Sequence, residues 1–299
     1  MALQDWLPIR GGVMVHFRLL VFSVCVCWGQ TAQVPAISAA PGTVVRWSAP
    51  GTLRCAMQGR SWAAVEGTCY YPLDLAQTPG ARILISRSAG GQNHFGRITV
   101  EPVDYGTEEI TLPDIPQAHP SALDLQRDAR ERAKLGKIFN RKEGPPKFTL
   151  PLGPPARPLP PGKSFGVKRV FNGKPASQPH TGSDYATPIG SPILAAADGT
   201  VVLAEDLFFE GNAVFIDHGD GLLSMYFHLA DIDVTAGQEV TKAHVLGHVG
   251  STGRATGPHL FFGIRWHGAR INPQFLLEPP GNIPSISNAE SISSRSPRP

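Results

Sequence analysis

Ser251–Trp266 reads STGRATGPHLFFGIRW. Gly253, Gly257 and Pro258 make a turn-rich opening, and His259-Leu260-Phe261-Phe262-Gly263-Ile264 follows with the aromatic and β-branched residues of a strand. Side chains alternate faces along a strand, so His259 and Phe261 are expected on one side. A histidine that leads a strand out of a Gly/Pro loop is placed to work at the edge of a cleft. An ordinary turn histidine is the alternative reading of the same residues.

Outward from this stretch lie further short β-type runs: Ile193–Ala197, Gly199–Ala204, Ala213–Asp217, Leu222–His228, Glu239–Thr241 and His244–Val249. Turns such as Asp217-His218-Gly219-Asp220-Gly221 separate them, which predicts an antiparallel sheet or sandwich. Two more histidine-bearing segments sit in this region. His180-Thr181-Gly182-Ser183-Asp184 spaces an imidazole and a carboxylate by three residues, one of them glycine. Both ligand types suit zinc. In Tyr226-Phe227-His228-Leu229, strand alternation puts Tyr226 and His228 on one face. A half-buried sheet histidine is the plain reading of His228 taken alone.

Taken together, His180-x-x-x-Asp184, Tyr226-x-His228-Leu229, Gly250-Ser251-Thr252-Gly253 and Gly257-Pro258-His259-Leu260 resemble, in order and spacing, the LytM/lysostaphin-type zinc metallopeptidases. The flanking Asp184-Tyr185-Ala186-x-Pro188-x-Gly190-x-Pro192, Ala197-Asp198-Gly199-Thr200-Val201 and Ile216-Asp217-His218-Gly219 agree. The resemblance covers roughly residues 165–277. It implies an exported enzyme that cuts peptides of bacterial peptidoglycan, with Zn2+ in a groove on an antiparallel sheet. His180 and Asp184 would be metal ligands, and His259 and His228 would flank the bound water as general base and transition-state stabiliser. Such an open zinc site activates water and lets a nearby histidine take its proton.

One position departs from the family. Its H-x-H strand motif reads His259-Leu260-Phe261 here, so Phe261 occupies the third zinc-ligand position. Phenylalanine has no lone pair to offer a metal. His267 shares the parity of Phe261 but lies about 20 Å along the strand. His244 and His248 fall on another expected strand. His259 could turn to the metal only by giving up its role as base. Two functions follow as expectations. One is an exported zinc metalloendopeptidase acting on cell-wall peptidoglycan with a weakened hold on Zn2+. The other is a non-catalytic LytM-like module that binds peptidoglycan or regulates another cell-wall hydrolase.

The rest of the chain frames this unit. Hydrophobic residues make up 41% and charged ones 17%, and 29 prolines and 32 glycines favour turns and short strands over long helices. A net charge of +3 with dispersed Lys and Arg gives no argument for nucleic acid. Arg10 and Arg18 precede the apolar Leu19–Trp28, short for a membrane span but suited to a signal-peptide core. Residues 1–32 are therefore expected to be an export signal, started from Met1 or Met14, with a buried N-terminal strand as the alternative. Cys25 lacks the small residue before it that a lipid-anchored signal wants, so no stable membrane anchor is expected and the mature protein is expected to be periplasmic or extracellular.

Removal of that segment would leave Cys55 and Cys69, a disulfide candidate in an oxidising compartment, or two free thiols otherwise. Residues 37–113 alternate apolar and polar in short pieces and read as a small β-sandwich-like domain, with His94 in an exposed turn. Residues 119–140 form the one convincing helix, capped by Ser121 and Asp124, with Leu123, Ala129, Ala133, Leu135 and Ile138 as its apolar stripe and its charges solvated. The Pro-rich residues 141–164 read as an extended spacer, residues 165–278 as the peptidase-like domain, and residues 279–299 as a disordered tail. The fold class expected is mostly β.

Overall fold

The computed structural model describes residues 34–287, so the expected export segment over 1–32 and residues 288–299 lie outside the described residues. The chain is mostly β, and from Val34 onward it forms one compact unit.

The N-terminal part contributes β1 (Ala36–Ala39), β2 (Val44–Ser48), β3 (Thr52–Met57), β4 (Arg60–Ala63), β5 (Thr68–Pro72), β6 (Arg82–Ala89) and β7 (Gln92–Val100). Five of these form a sheet in the order β1-β7-β6-β3-β4, and β2 and β5 pair separately. The period-2 pattern decides what faces inward: Ile83 and Ile85 of β6 are buried while Leu84 between them is exposed. His94 lies within β7 opposite Arg87, half-buried, and not in a turn as the sequence suggested. Cys55 and Cys69 form a disulfide with their Cα atoms 5.4 Å apart. It closes a 14-residue separation around Trp62, and both cysteines are buried. In the chain-entropy account a loop of that length stabilises the fold by about 3 kcal/mol. Cys55→Ala/Cys69→Ala is expected to lose about that much in urea denaturation; an unchanged midpoint would refute the assignment.

Next come β8 (Thr107–Ile110), α1 (Ala122–Phe139), β9 (Lys168–Phe171) and β10 (Lys174–Pro175). β8 does not belong to the N-terminal sheet. It runs parallel to β9, so residues either side of the helix and the Pro-rich segment are stitched together. In α1 the capping box of Ser121 and Asp124 is present. The expected stripe is not: Leu123, Ala129 and Ala133 are exposed, and Leu135 with half-buried Ile138 and Phe139 carries the packing. The helix charges are docking groups as well as solvated ones. Arg127 pairs with Glu131 and Asp206, Lys134 pairs with Glu205, and Glu131 accepts the Phe208 backbone N–H.

The Pro-rich segment is not a spacer. Phe148, Leu152 and Ala156 are buried in the main core, and the N–H groups of Lys147, Leu152 and Gly153 donate to His218, Leu276 and Ala196 carbonyls. An extended segment short of N–H donors can lie against a sheet without leaving many unpaired donors, which is how this one is used. The expected tail is ordered through Ser287. Ile283 and Ile286 are buried in the main and N-terminal cores respectively, and Arg46 exchanges backbone hydrogen bonds with Pro284 and Ile286. Composition alone pointed to disorder; two isoleucines at the right spacing decide otherwise.

The main sheet has nine strands. These are β11 (Ser183–Tyr185), β12 (Pro192–Leu194), β13 (Gly199–Leu207), β14 (Gly211–Asp217), β15 (Leu222–Ile232), β16 (Glu239–Val240), β17 (Val245–Val249), β18 (Leu260–Trp266) and β19 (Ala269–Ile271). Its principal order is β11-β18-β15-β14-β13-β16, all antiparallel. β18, the second half of the opening stretch, lies between β11 and β15, and this places the site.

Candidate active site

Register across three strands sets one row. Asp184 of β11 stands opposite Phe261 of β18, and Phe261 stands opposite Phe227 of β15. Directly opposed residues share a face, so a carboxylate and two phenyl rings line one side of the sheet. Phe261 and Phe227 stack in parallel, with centroids 4.3 Å apart and planes 2° from each other. The other parity holds Phe262 and Tyr226, packed 5.2 Å apart in the main core.

His228 therefore is not on the Tyr226 face, contrary to simple alternation. Its φ of +67° places it in the left-handed region, where a bulge in the pairing of β15 reverses the parity. A non-glycine residue there costs about 1 kcal/mol or more. Hydrogen bonds hold it: its N–H donates to the Glu210 carbonyl, and its ring Nδ1 to the Thr252 carbonyl at 2.8 Å. The result brings His228 to 4.8 Å from His259, ring centre to ring centre. His180 reaches the row from the loop before β11, edge-on to Phe261 at 5.1 Å. Gly182 permits this close pass, since a Cβ there would meet the Phe261 ring at 2.5 Å and the Phe262 carbonyl at 2.7 Å.

The three imidazoles are oriented alike. Nδ1 of His180, His228 and His259 faces the carbonyls of Ser164, Thr252 and Gly257 at 3.1, 2.8 and 2.8 Å. A carbonyl only accepts, so each Nδ1 carries a proton, which in a neutral ring leaves the lone pair on Nε2. Nε2 of His180 and of His259 stand 3.3 and 3.6 Å from Asp184 Oδ1. That oxygen is buried without a hydrogen-bond partner. The second oxygen, Oδ2, is bonded by Arg169, whose Nε also lies 3.4 Å from Glu108. Burial alone would push the Asp184 carboxyl up; His180, Arg169 and His259 more than offset it and hold the group well below the usual carboxylate range. Burial pushes His228 down to about 4, with a further push from His259, so it is neutral at pH 7.

Whether these residues fit zinc is testable on their spacing. Two donors on a tetrahedral ion with legs of about 2.0–2.1 Å stand about 3.3 Å apart. His180 Nε2 and Asp184 Oδ1 meet that spacing. The third leg is missing: Phe261 is only 4% exposed and its ring fills the position. Among the described residues, the group of three metal-donor side chains that gathers within 4.8 Å is Asp231, Asp233 and His248, elsewhere on the sheet. His267 is also remote, buried against Trp62 at 4.2 Å. The chain thus carries two legs of a zinc site, and the set does not fit a three-ligand centre.

The structure brings His180, Asp184, His228, His259 and Phe261 together as the sequence suggested. It adds Arg169, which sequence reading passed over. The signal was the alternation Arg169-x-Phe171 in a strand just upstream of His180, but nothing in it says which carboxylate the arginine meets.

Residues 178–273 match the model for peptidase family M23. A solved Pseudomonas aeruginosa structure assigned to peptidase M23 is 31% identical, with a TM-score of 0.58, over 80% of this chain and 94% of that one. The peptidoglycan DD-endopeptidase ShyA of Vibrio cholerae is 37% identical over 42% of this chain and 28% of its own. The DD-carboxypeptidase/endopeptidase Mpg of Neisseria meningitidis is 40% identical over 37% of this chain and 25% of its own. The chain spans about a quarter of the length of these two relatives. With a family match centred on the histidine groove, and a structural relative covered almost end to end, the chain belongs to peptidase family M23.

Proposed function

We propose that this chain is an exported M23-type hydrolase directed at the peptide part of bacterial peptidoglycan, and that Phe261 holds its turnover far below what the rest of the site would support. The observation that carries this reading is the convergence of the Nδ1-anchored imidazoles of His180 and His259 on the buried Oδ1 of Asp184, with the His228 ring 4.8 Å from that of His259. A surface that merely adheres to cell wall has no need of it. The names of the relatives supply the substrate class. Each residue has a task in this reading. In their neutral forms His228 and His259 would accept a proton at Nε2 from an attacking water and return it to the leaving amine. Arg169 fixes the carboxylate of Asp184, and His180 with Asp184 would hold Zn2+, weakly.

A second reading rests on the buried Phe261 ring: a domain that grips wall peptides without cutting them, or that acts by engaging another wall hydrolase. Incubating the purified protein with peptidoglycan sacculi separates the two. The hydrolase reading expects co-sedimentation and a slow release of new amino groups that Zn2+ accelerates and a chelator stops. Co-sedimentation with no release at any zinc concentration would establish the binding module. Absence of both would overturn the peptidoglycan assignment.

A further inference from the structure

One cation close in sequence to the histidines makes no ion pair within 4.0 Å among the described residues. Arg254, in the turn before His259, lies over the ring of Phe171 at 4.2 Å and over that of Phe209 at 4.5 Å. Its backbone N–H donates to the Phe209 carbonyl, so the residue is fixed at both ends. Among the described residues, no carboxylate comes within 4.0 Å of its guanidinium and no side chain or carbonyl accepts a hydrogen bond from it. Glu210 acts on it by charge without reaching ion-pair distance; burial raises the Glu210 carboxyl, and Arg254 offsets part of that. Burial also lowers Arg254 itself; the charge of Glu210 opposes that, and Arg169 and Arg132 add repulsion.

Its place relative to the site follows from β9. Arg169 and Phe171 are two residues apart on that strand, hence on one face and about 6.6 Å apart. Arg169 holds Asp184 while Phe171 lies under Arg254. The Thr252 carbonyl, two residues before Arg254, anchors His228. Arg254 is thus tied to the histidine site through β9 on one side and through the Thr252 backbone on the other. Stacking on aromatic faces leaves a guanidinium's in-plane N–H fork free, and that fork matches a carboxylate with two parallel bonds.

Resting on the peptidoglycan reading, we infer that Arg254 is a specificity-determining residue that clamps a free carboxylate of the wall peptide, on a residue next to the bond held at the histidines. The alternative role, a structural pin between Phe171 and Phe209, predicts no preference among ligands.

The test uses the full chain and two probes: a synthetic peptidoglycan stem peptide with its carboxylates free, and the same peptide with them converted to carboxamides. Calorimetry is expected to show the carboxylate form bound at least tenfold more tightly by the parent, with the gap shrinking at high salt. Arg254→Gln should erase the gap while leaving the carboxamide form within about twofold, and Arg254→Lys should keep only part of it. Equal affinities for the two peptides in the parent would overturn the assignment without any variant, as would a gap that survives in a folded Arg254→Gln. If the parent binds neither peptide nor sacculi, the peptidoglycan reading falls and this assignment with it.

Discussion

Phe261→His is expected to raise the affinity for Zn2+ by more than 100-fold and to bring peptidoglycan hydrolysis up with it. Asp184, Phe261 and Phe227 stand side by side in one row across three strands. A side chain at position 261 points at His180, whose ring it already meets at 5.1 Å. His180 Nε2 and Asp184 Oδ1 already stand at the spacing of two tetrahedral donors. An imidazole at 261 would close the third leg. Loss of a group that only orients a ligand typically costs 10–100-fold in affinity or activity, so restoring a ligand itself should exceed that. The substitution gives up the parallel stack on Phe227, an aromatic pair of about 1 kcal/mol, which a fold of this size should survive. Metal content after dialysis and amine release from sacculi are the measurements. A second substitution, His180→Ala, should cancel the gain. A parent that retains one zinc per chain through dialysis, with Phe261→His changing neither zinc nor rate, would show the site has been misread.

How far the sequence reached can be judged from particular residues. Most strands of the main sheet are readable because they pair β-branched and aromatic runs with Gly-rich turns, and β18 comes from the opening stretch nearly to the residue; the short β11 and β19 carry too few residues to show a pattern. The histidine set was readable from motif spacing. His228 was placed on the wrong face because period-2 reasoning assumes an unbroken strand, and a left-handed φ at one residue reverses the parity. The Pro-rich segment and residues 279–287 depart from the expectation for a common reason. Composition reports how few donors and apolar residues a segment has, not whether Phe148, Leu152, Ile283 and Ile286 find a surface to bury against. Charged residues on α1 looked solvated because their partners, Asp206 and the Phe208 amide, lie some 75 residues away in a turn that only the fold brings near. Arg254 was hidden likewise, since two aromatic residues from separate segments define its environment.

The metal-free protein is expected to lose stability steeply as pH falls from 7 to 4.5. His218 is fully buried, with Nδ1 at 2.7 Å from the Asp198 carbonyl and Nε2 at 2.7 Å from Ser224 Oγ. Burial pushes it down to about 4, and His228 and His267 also to about 4 for the same leading cause. Between pH 6.5 and 4 each of these histidines binds a proton in the unfolded chain and none in the folded one. The unfolded state then holds more protons, so stability rises with pH across this window and is lost on acidification. Asp220 opposes the trend. Burial pushes it up to about 7, so between its ordinary value and 7 the folded state holds the extra proton and gains stability as pH falls. Asp220 faces His267 at 3.6 Å, and these two largely cancel. His218 and His228 remain uncancelled, at about 3 kcal/mol each when the full window is crossed. For a fold of this size a few kcal/mol moves the thermal midpoint by on the order of 10 °C. Melting the protein in chelator at pH 7 and 4.5 reads this out, and His218→Asn should flatten the dependence by about half even if it lowers the midpoint at pH 7. A midpoint constant between the two pH values would mean these histidines are protonated in the native state, and that the neutral His228 required for proton transfer is not what the fold provides.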